Sequence, residues 1–174
     1  MTKQTIASAP STLTFKPSRI IHGHWRLMEW GLSPQQLLQL AHNCIEMGID
    51  TFDHADIYGN YSCEAAFGEA LRIEKGLRQR IKIITKCGIK LCSNKFPERT
   101  IKTYDYSDGH IKYSVEQSLK NFHTDYIDLL LLHRPAPFFD PVQVAATFRD
   151  LKQQGKVLYF GVSNFSAQQY MMLQ

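Results

Sequence analysis

The sequence contains no hydrophobic run long enough to cross a membrane. Hydrophobic residues make up 44% of the 174 residues, but the longest apolar candidate, residues 126–132, is interrupted by Asp128. A spanning helix needs about 20 apolar residues. The N-terminus also lacks the charged and then apolar pattern of a secretory signal. These absences predict a protein with no membrane partner and a cytoplasmic location.

The sequence also lacks cysteine spacings and charge clusters that would indicate a metal site or a nucleic-acid partner. The four cysteines, Cys44, Cys63, Cys87 and Cys92, form no C-x-x-C pair and no zinc spacing, which favours reduced thiols and no bound metal. The formal charge is only +4, and the Lys and Arg residues are scattered rather than clustered. This distribution predicts no nucleic-acid partner, whereas a small ligand with a phosphate group is compatible with it.

From Arg19 onward the sequence alternates short β-rich runs with longer helical patterns, which is typical of βαβ units around a parallel sheet. The predicted strands are 19–24, 49–53, 81–86, 126–133 and 157–163. The predicted helices are 34–47, 63–73, 110–122 and 141–153, followed by one that begins near residue 167. Two short apolar runs within residues 4–16 predict an N-terminal β-hairpin, and the length predicts one domain over residues 1–174.

This alternation fits two architectures, an open doubly wound sheet and a (β/α)8 barrel. A nucleotide-binding doubly wound fold is expected to show G-x-G-x-x-G after its first strand, and none is present. A TIM barrel carries its functional residues at the carboxyl ends of several strands. Polar residues do collect at the ends of the predicted strands: Asp53, Lys86, His133, Ser163 and Asn164. The sequence therefore favours an α/β protein of the barrel class.

Asp53, Tyr58, Lys86 and His133 follow different predicted strands and would converge in a barrel. A lysine ammonium beside a phenol favours the phenolate and lowers the tyrosine pKa, while a carboxylate holds the lysine charged and in place. Tyr58 would then act as a general acid. His133 beside it would donate a hydrogen bond to a substrate carbonyl oxygen and stabilise the alkoxide that forms on hydride transfer.

Each of these residues also has a structural interpretation. Asp53 and Lys86 fit a structural ion pair at the rim of the sheet, and Tyr58 fits the amphipathic wall of a loop. His133 fits a hydrogen-bonded histidine at the end of a buried strand. Two further carboxylates, Glu64 and Asp128, are explained at least as well by ties between helix and strand as by catalysis. The joint placement of the first four residues is what favours chemistry.

Three long segments make the sequence resemble the aldo-keto reductase family. The segments are residues 48–59 (GIDTFDHADIYG, followed by Glu64 and Phe67-Gly68), residues 119–133 (LKNFHTDYIDLLLLH) and residues 155–165 (GKVLYFGVSNF). Long ordered motifs of this kind rarely match by chance.

The resemblance implies a role for each matching residue. It makes Tyr58 the general acid, Lys86 its activator, Asp53 the partner of the lysine and a neighbour of the cofactor ribose, and His133 the carbonyl-orienting donor. Ser163 and Asn164 match the family positions that bind the nicotinamide carboxamide. The implied reaction is reversible hydride transfer from NADPH to an aldehyde or ketone, with no metal. Trp25 and Trp30, in the loop after the first strand, are expected to line a substrate pocket together with Tyr58 and His133.

A family barrel needs eight strands, and the predicted elements supply five. We therefore expect an incomplete (β/α)8 barrel, with self-association through its open sheet edges. Two functions follow from this expectation. One is a reductase acting on a small carbonyl substrate. The other is a non-catalytic, truncated chain that serves as a binding or interaction module.

Overall fold

The computed structural model describes residues 14–173 of the chain. Seven strands lie within this part: β1 His22–Gly23, β2 Thr51–Asp53, β3 Lys82–Cys87, β4 Ile89–Lys90, β5 Thr103–Tyr104, β6 Ile127–Leu132 and β7 Val157–Val162. Six α-helices accompany them: α1 Pro34–Glu46, α2 Tyr58–Tyr61, α3 Cys63–Ile73, α4 Asp108–Phe122, α5 Pro141–Gln153 and α6 Ala167–Met171. Two 3-10 segments cover Leu27–Trp30 and Lys75–Arg80.

Five strands form one parallel sheet in the order β1-β2-β3-β6-β7, and β4 and β5 form a separate antiparallel pair. A doubly wound sheet reverses its strand order at a switch point, whereas a (β/α)8 barrel keeps consecutive strands side by side. The order is therefore that of a barrel wall. Strands β1 and β7 lie at its edges, and the self-association expected of such edges stays a prediction.

The hydrophobic core lies between the sheet and the helices. Around β2 and β3 it consists of buried side chains from both layers, among them Leu37, Phe52, Phe67, Ile83 and Phe122. Around β6 and β7 it continues through α4 and α5 with Ile111, Val115, Leu130, Leu132 and Leu151. Helices α3 and α4 approach closely at Gly68, where a Cβ would overlap the backbone carbonyl of Asn121. This packing leaves the carboxyl ends of the strands free for polar groups.

The helix predictions are confirmed to within two residues at every described boundary. The reason is local, because the helix starts carry caps: the Ser33, Asp140 and Ser166 side chains accept hydrogen bonds from the first turns of α1, α5 and α6. Within residues 14–173, no helix has both the length and the hydropathy to span a bilayer.

The strand predictions are less accurate at the edge of the sheet. The first predicted strand, 19–24, is reduced to His22–Gly23, because it pairs only with β2, itself three residues long. The β4–β5 hairpin was not predicted, since strands of two residues show no alternation of polar and apolar residues. The predicted N-terminal hairpin over residues 4–16 lies outside the described residues except for its last three.

Two carboxylates, one partly buried (Asp128) and one buried (Glu64), tie the layers together, as expected of scaffold residues. Asp128 binds the guanidinium of Arg78 at 2.7 Å and the backbone N–H of Ile83 at 2.9 Å. Arg78 also donates to the Ile81 and Tyr126 carbonyls and to Thr124. Glu64 accepts hydrogen bonds from β3 and α4, through Thr85, Ser118 and Asn121. Because their oxygens are occupied within the scaffold, we assign neither carboxylate to chemistry.

His24 and His54 form a buried pair that the sequence did not predict. Nδ1 of His24 lies 2.7 Å from Nε2 of His54, and both residues are 0% exposed. Aromatic rings of Phe52, Phe67 and Phe122 surround the pair. Burial, with a smaller effect from His22, lowers the pKa of His24 to about 3. Burial also lowers the pKa of His54 well below its usual value. Both rings are therefore neutral at pH 7.

The histidine pair predicts loss of stability in mild acid. An unfolded histidine takes up its proton near pH 6.5, whereas the buried rings do not, so stability is lost as the pH falls below 6.5. Two such groups cost about 3 kcal/mol between pH 6.5 and 5. His24→Phe is expected to lower the slope of unfolding free energy against pH by about one proton, in urea titrations between these two pH values. The control, His123→Asn on the surface, is expected to keep the slope. An unchanged slope in His24→Phe would contradict the assignment.

Candidate active site

Four polar side chains meet at the carboxyl ends of the central strands. Asp53 is the last residue of β2, Lys86 precedes the last residue of β3, and His133 follows β6 directly. Tyr58 begins the short turn α2, five residues after β2. Because parallel strands present their carboxyl ends at one edge of the sheet, residues far apart in the sequence become neighbours here.

Lys86 is the centre of this group. Its ammonium donates to both carboxylate oxygens of Asp53, at 2.7 and 2.8 Å, to the His54 backbone carbonyl at 2.7 Å and to the Tyr58 hydroxyl at 3.0 Å. Lys86 is only 6% exposed. A buried ammonium is tolerated because it is paired and hydrogen-bonded. The lysine thus joins the carboxylate to the phenol through one charged atom.

His133 approaches Tyr58 from the end of β6. The two ring centroids are 5.9 Å apart with an edge-on interplanar angle of 77°. Burial lowers the pKa of His133 to about 4, with smaller effects from Lys86, Arg134 and Lys102, so its imidazole is neutral at pH 7. Nδ1 is buried without a hydrogen-bond partner among the described residues. A neutral imidazole carries one N–H, which can donate to an oxygen placed beside Tyr58.

The turn after Tyr58 has an unusual backbone. Gly59, Asn60 and Tyr61 all have φ between 53° and 62°, the left-handed region that costs a non-glycine residue about 1 kcal/mol. Gly59 cannot gain a side chain, because a Cβ would lie 2.5 Å from Met28 Cγ and 2.6 Å from Cys63 Sγ. The phenol is therefore carried on a strained and closely packed turn.

Ser163 and Asn164 follow β7 at the same end of the sheet. The Ser163 amide donates to the Leu132 carbonyl at 2.9 Å. Asn164 has φ 63°, and its amide nitrogen donates to the His133 carbonyl at 3.0 Å and to the Ser163 hydroxyl at 2.9 Å. Its carbonyl oxygen takes no hydrogen bond from the described residues. Both side chains therefore retain acceptor capacity beside His133.

The two tryptophans expected to line the substrate pocket, Trp25 and Trp30, lie apart from the four polar side chains. Trp25 is 70% exposed and Trp30 is 40% exposed, and Trp30 packs edge-on against His22 and His24 at 5.8 Å. The loop that carries them reaches the turn through Met28, which abuts Gly59. Tyr58 and His133 are thus neighbours, while the tryptophans border the same end of the molecule.

Other candidate groups are occupied or buried. Cys87 is buried next to Lys86, and burial raises the pKa of its thiol well above the usual value, which keeps it protonated and unreactive. Within residues 14–173 no three His, Cys, Asp or Glu side chains are grouped as metal ligands. Sequence reasoning missed the His54 carbonyl as a ligand of Lys86, since a backbone contact leaves no residue pattern.

Sequence comparison finds proteins named as oxidoreductases among those similar to this chain. The model of the aldo/keto reductase family matches residues 19–174. The uncharacterized oxidoreductase YcsN of Bacillus subtilis (strain 168) is 57% identical over 90% of this chain and 52% of that protein. The oxidoreductase YdhF of Escherichia coli (strain K12) is 48% identical over 98% and 56%. A 6-dehydroglucose reductase of Agrobacterium fabrum is 42% identical over 90% and 53%. The chain spans about half the length of these curated relatives.

Solved structures give the same result. The holo form of the aldo-keto reductase AKR11C1 from Bacillus halodurans has a TM-score of 0.71 and 31% identity, over 86% of this chain and 47% of that one. An aldo/keto reductase from Klebsiella pneumoniae, in complex with NADP and acetate, has a TM-score of 0.67 and 25% identity, over 86% and 47%. These matches confirm the predicted barrel class and the resemblance drawn from the three motifs. The chain belongs to the aldo/keto reductase family.

Proposed function

We propose that this chain carries the catalytic residues for NADPH-dependent reduction of an aldehyde or ketone to an alcohol. The observation that carries the proposal is the Lys86 ammonium, which contacts the Asp53 carboxylate and the Tyr58 hydroxyl at once. Residues 1–174 would act as one domain in this protein.

Tyr58 would be the general acid. As the phenol gives its proton to the carbonyl oxygen of the substrate, the Lys86 ammonium 3.0 Å away stabilises the negative charge left on Tyr58. Asp53 keeps the ammonium charged and aimed at the phenol. General-acid catalysis of this kind contributes about 10²- to 10⁴-fold to the rate.

His133 would orient the substrate. Its neutral imidazole faces the Tyr58 ring, so a carbonyl oxygen bound between them would receive one hydrogen bond from each side chain. Two donors directed at the oxygen stabilise the alkoxide more than the carbonyl, which lowers the barrier. Trp25 and Trp30 would supply the apolar border of the substrate site.

Ser163 and Asn164 suit a nicotinamide carboxamide. The Asn164 carbonyl oxygen has no partner among the described residues, and the Ser163 hydroxyl lies 2.9 Å from the Asn164 amide nitrogen, from which it accepts a hydrogen bond. Together they offer an acceptor for the carboxamide N–H₂ and a hydroxyl for its oxygen. Reduced nicotinamide, when bound, supplies the hydride. The NADP complex of the Klebsiella pneumoniae relative supports NADP(H) as the cofactor, and Asp53 would lie near its ribose.

Removal of the phenol hydroxyl tests the proposal. Tyr58→Phe is expected to lower kcat for the reduction of 4-nitrobenzaldehyde by about 10²- to 10⁴-fold, because the general acid is lost. NADPH binding, measured by its fluorescence, is expected to persist because Ser163 and Asn164 remain. Tyr104→Phe removes a hydroxyl from a tyrosine that is 40% exposed on β5 and serves as the matched control. The sugar carbonyl named for the Agrobacterium relative provides a second substrate to assay.

Two outcomes would count against a reductase. Full turnover in Tyr58→Phe would remove Tyr58 from the chemistry. NADPH binding without turnover by the unmodified protein, on either substrate, would favour a non-catalytic binding module.

The pH profile tests the state of His133. With a pKa of about 4, its imidazole stays neutral as the pH falls from 7 to 5, so kcat/KM is expected to show no bend near 6.5. Below about 4 the ring gains a proton and repels Lys86, and kcat/KM is expected to fall. Initial rates after a rapid pH jump, with circular dichroism to verify folding, measure this. A bend near pH 6.5 that disappears in His133→Gln would overturn the assignment.

A further inference from the structure

The left-handed turn at Gly59, Asn60 and Tyr61 is not stabilised by its own sequence. Two of its three residues carry a side chain, which disfavours this backbone region. Its internal contacts are few: the Tyr61 amide donates to the Ile57 carbonyl at 3.3 Å, and the Ser62 amide donates to the Tyr58 carbonyl at 3.1 Å. A strained segment persists only where its surroundings hold it.

The surroundings that hold this turn are residues 88–106, which we call the strap. The strap leaves the end of β3, forms the β4–β5 hairpin and returns to α4. Five hydrogen bonds join it to the turn or to the residue after it. They are Leu91 N to Tyr61 Oη (2.8 Å), Arg99 Nη1 to Tyr61 Oη (3.0 Å), Lys95 Nζ to Tyr61 O (2.9 Å), Lys95 Nζ to Ser62 Oγ (2.6 Å) and Asn60 Nδ2 to Asn94 Oδ1 (2.9 Å).

Three of these five bonds end on Tyr61. Its ring also meets Phe96 edge-on at 4.8 Å, and the Arg99 guanidinium lies 3.6 Å over the face of Phe96. Arg99 is therefore fixed by a stacking contact while it donates to the Tyr61 hydroxyl. Both the backbone and the side chain of Tyr61 are held by the strap, so its left-handed conformation is set from outside the turn.

Tyr61 lies three residues after Tyr58, on the same short turn. Among the described residues, the Tyr58 hydroxyl accepts a hydrogen bond from Lys86 at 3.0 Å, and no strap residue forms a hydrogen bond with it. The hydrogen bonds of the strap therefore reach Tyr58 through the backbone that Tyr61 fixes.

We propose that Tyr61 is a positioning residue, through which the strap holds the Tyr58 hydroxyl against Lys86. This inference rests on the proposed function for its catalytic meaning, while the mechanical link can be tested without turnover. Loss of the hydrogen bonds between the strap and Tyr61 lets the turn relax toward ordinary backbone angles and moves the Tyr58 hydroxyl away from the Lys86 ammonium.

Nuclear magnetic resonance tests the link directly. With [ζ-¹³C]tyrosine incorporated, the resonance that disappears in Tyr58→Phe identifies Tyr58 among the eight tyrosines. Tyr61→Phe, which removes two strap bonds, is expected to shift and broaden this resonance, and Arg99→Ala, on the strap itself, is expected to do the same. Arg99→Lys, which keeps a cationic donor, is expected to restore part of the change.

Tyr113→Phe is the matched control. Tyr113 and Tyr61 line the same cavity of about 170 Å³, but no described residue forms a hydrogen bond with the Tyr113 hydroxyl. Its loss is expected to leave the Tyr58 resonance in place. Thermal melts of all variants separate a local effect from general destabilisation, and Arg99→Ala provides the test if Tyr61→Phe does not fold.

Steady-state kinetics test whether Tyr61 matters for turnover. Tyr61→Phe is expected to lower kcat about 10- to 100-fold, the cost of misplacing a reacting group by about 1 Å, with NADPH affinity unchanged. The primary deuterium isotope effect with 4-deuterated NADPH is expected to rise, because hydride transfer becomes slower relative to product release.

The resonance measurement and the kinetic measurement can each fail without the other. A Tyr58 resonance that is unchanged in both Tyr61→Phe and Arg99→Ala would overturn the positioning role, whatever the turnover. A shifted resonance in a protein with no reductase activity would leave the mechanical link standing and reject the proposed function. Equal losses of kcat in Tyr61→Phe and Tyr113→Phe would also contradict the inference.

Discussion

The arrangement at the strand ends depends on one buried ammonium. Lys86 lies where a lone charge would be strongly unfavourable, and its partners come from three places: the Asp53 carboxylate, the His54 carbonyl and the Tyr58 hydroxyl. These three groups reach the ammonium only when β2 and β3 pair in this register and the turn after β2 keeps its conformation. The same contacts that make the ammonium tolerable also place it beside the phenol, so the folded sheet and the chemistry of the site share one interaction.

Much of this could be predicted from the sequence because the signals were local or regular. Ser33 and Ser166 marked the starts of α1 and α6, and the alternation of strands and helices indicated parallel strands with their polar ends together. That reasoning brought Asp53, Tyr58, Lys86 and His133 to one place, as the structure has them. Their catalytic roles, like the carboxamide contacts of Ser163 and Asn164, stay proposals.

The features that could not be predicted depend on tertiary contacts, which leave no pattern in the sequence. The strap is irregular apart from strands of two residues, and its bonds to Tyr61 join residues 30 to 38 positions apart. The pairing of His24 with His54 arises only when β1 and β2 lie side by side. Positive φ at Asn60 and Tyr61 is likewise imposed by tertiary contacts, because neither residue type demands it.

The contact between Gly59 and Met28 constrains how this protein can change. The loop after β1, which borders the expected substrate site, touches the turn that holds the phenol at a point with no room for a Cβ. A bulkier residue at position 28 would press on the turn and disturb Tyr58. Under the proposed function, a change of substrate range through this loop is therefore coupled to the geometry of proton donation. Variants that combine changes at both positions offer a route by which selectivity and rate evolve together.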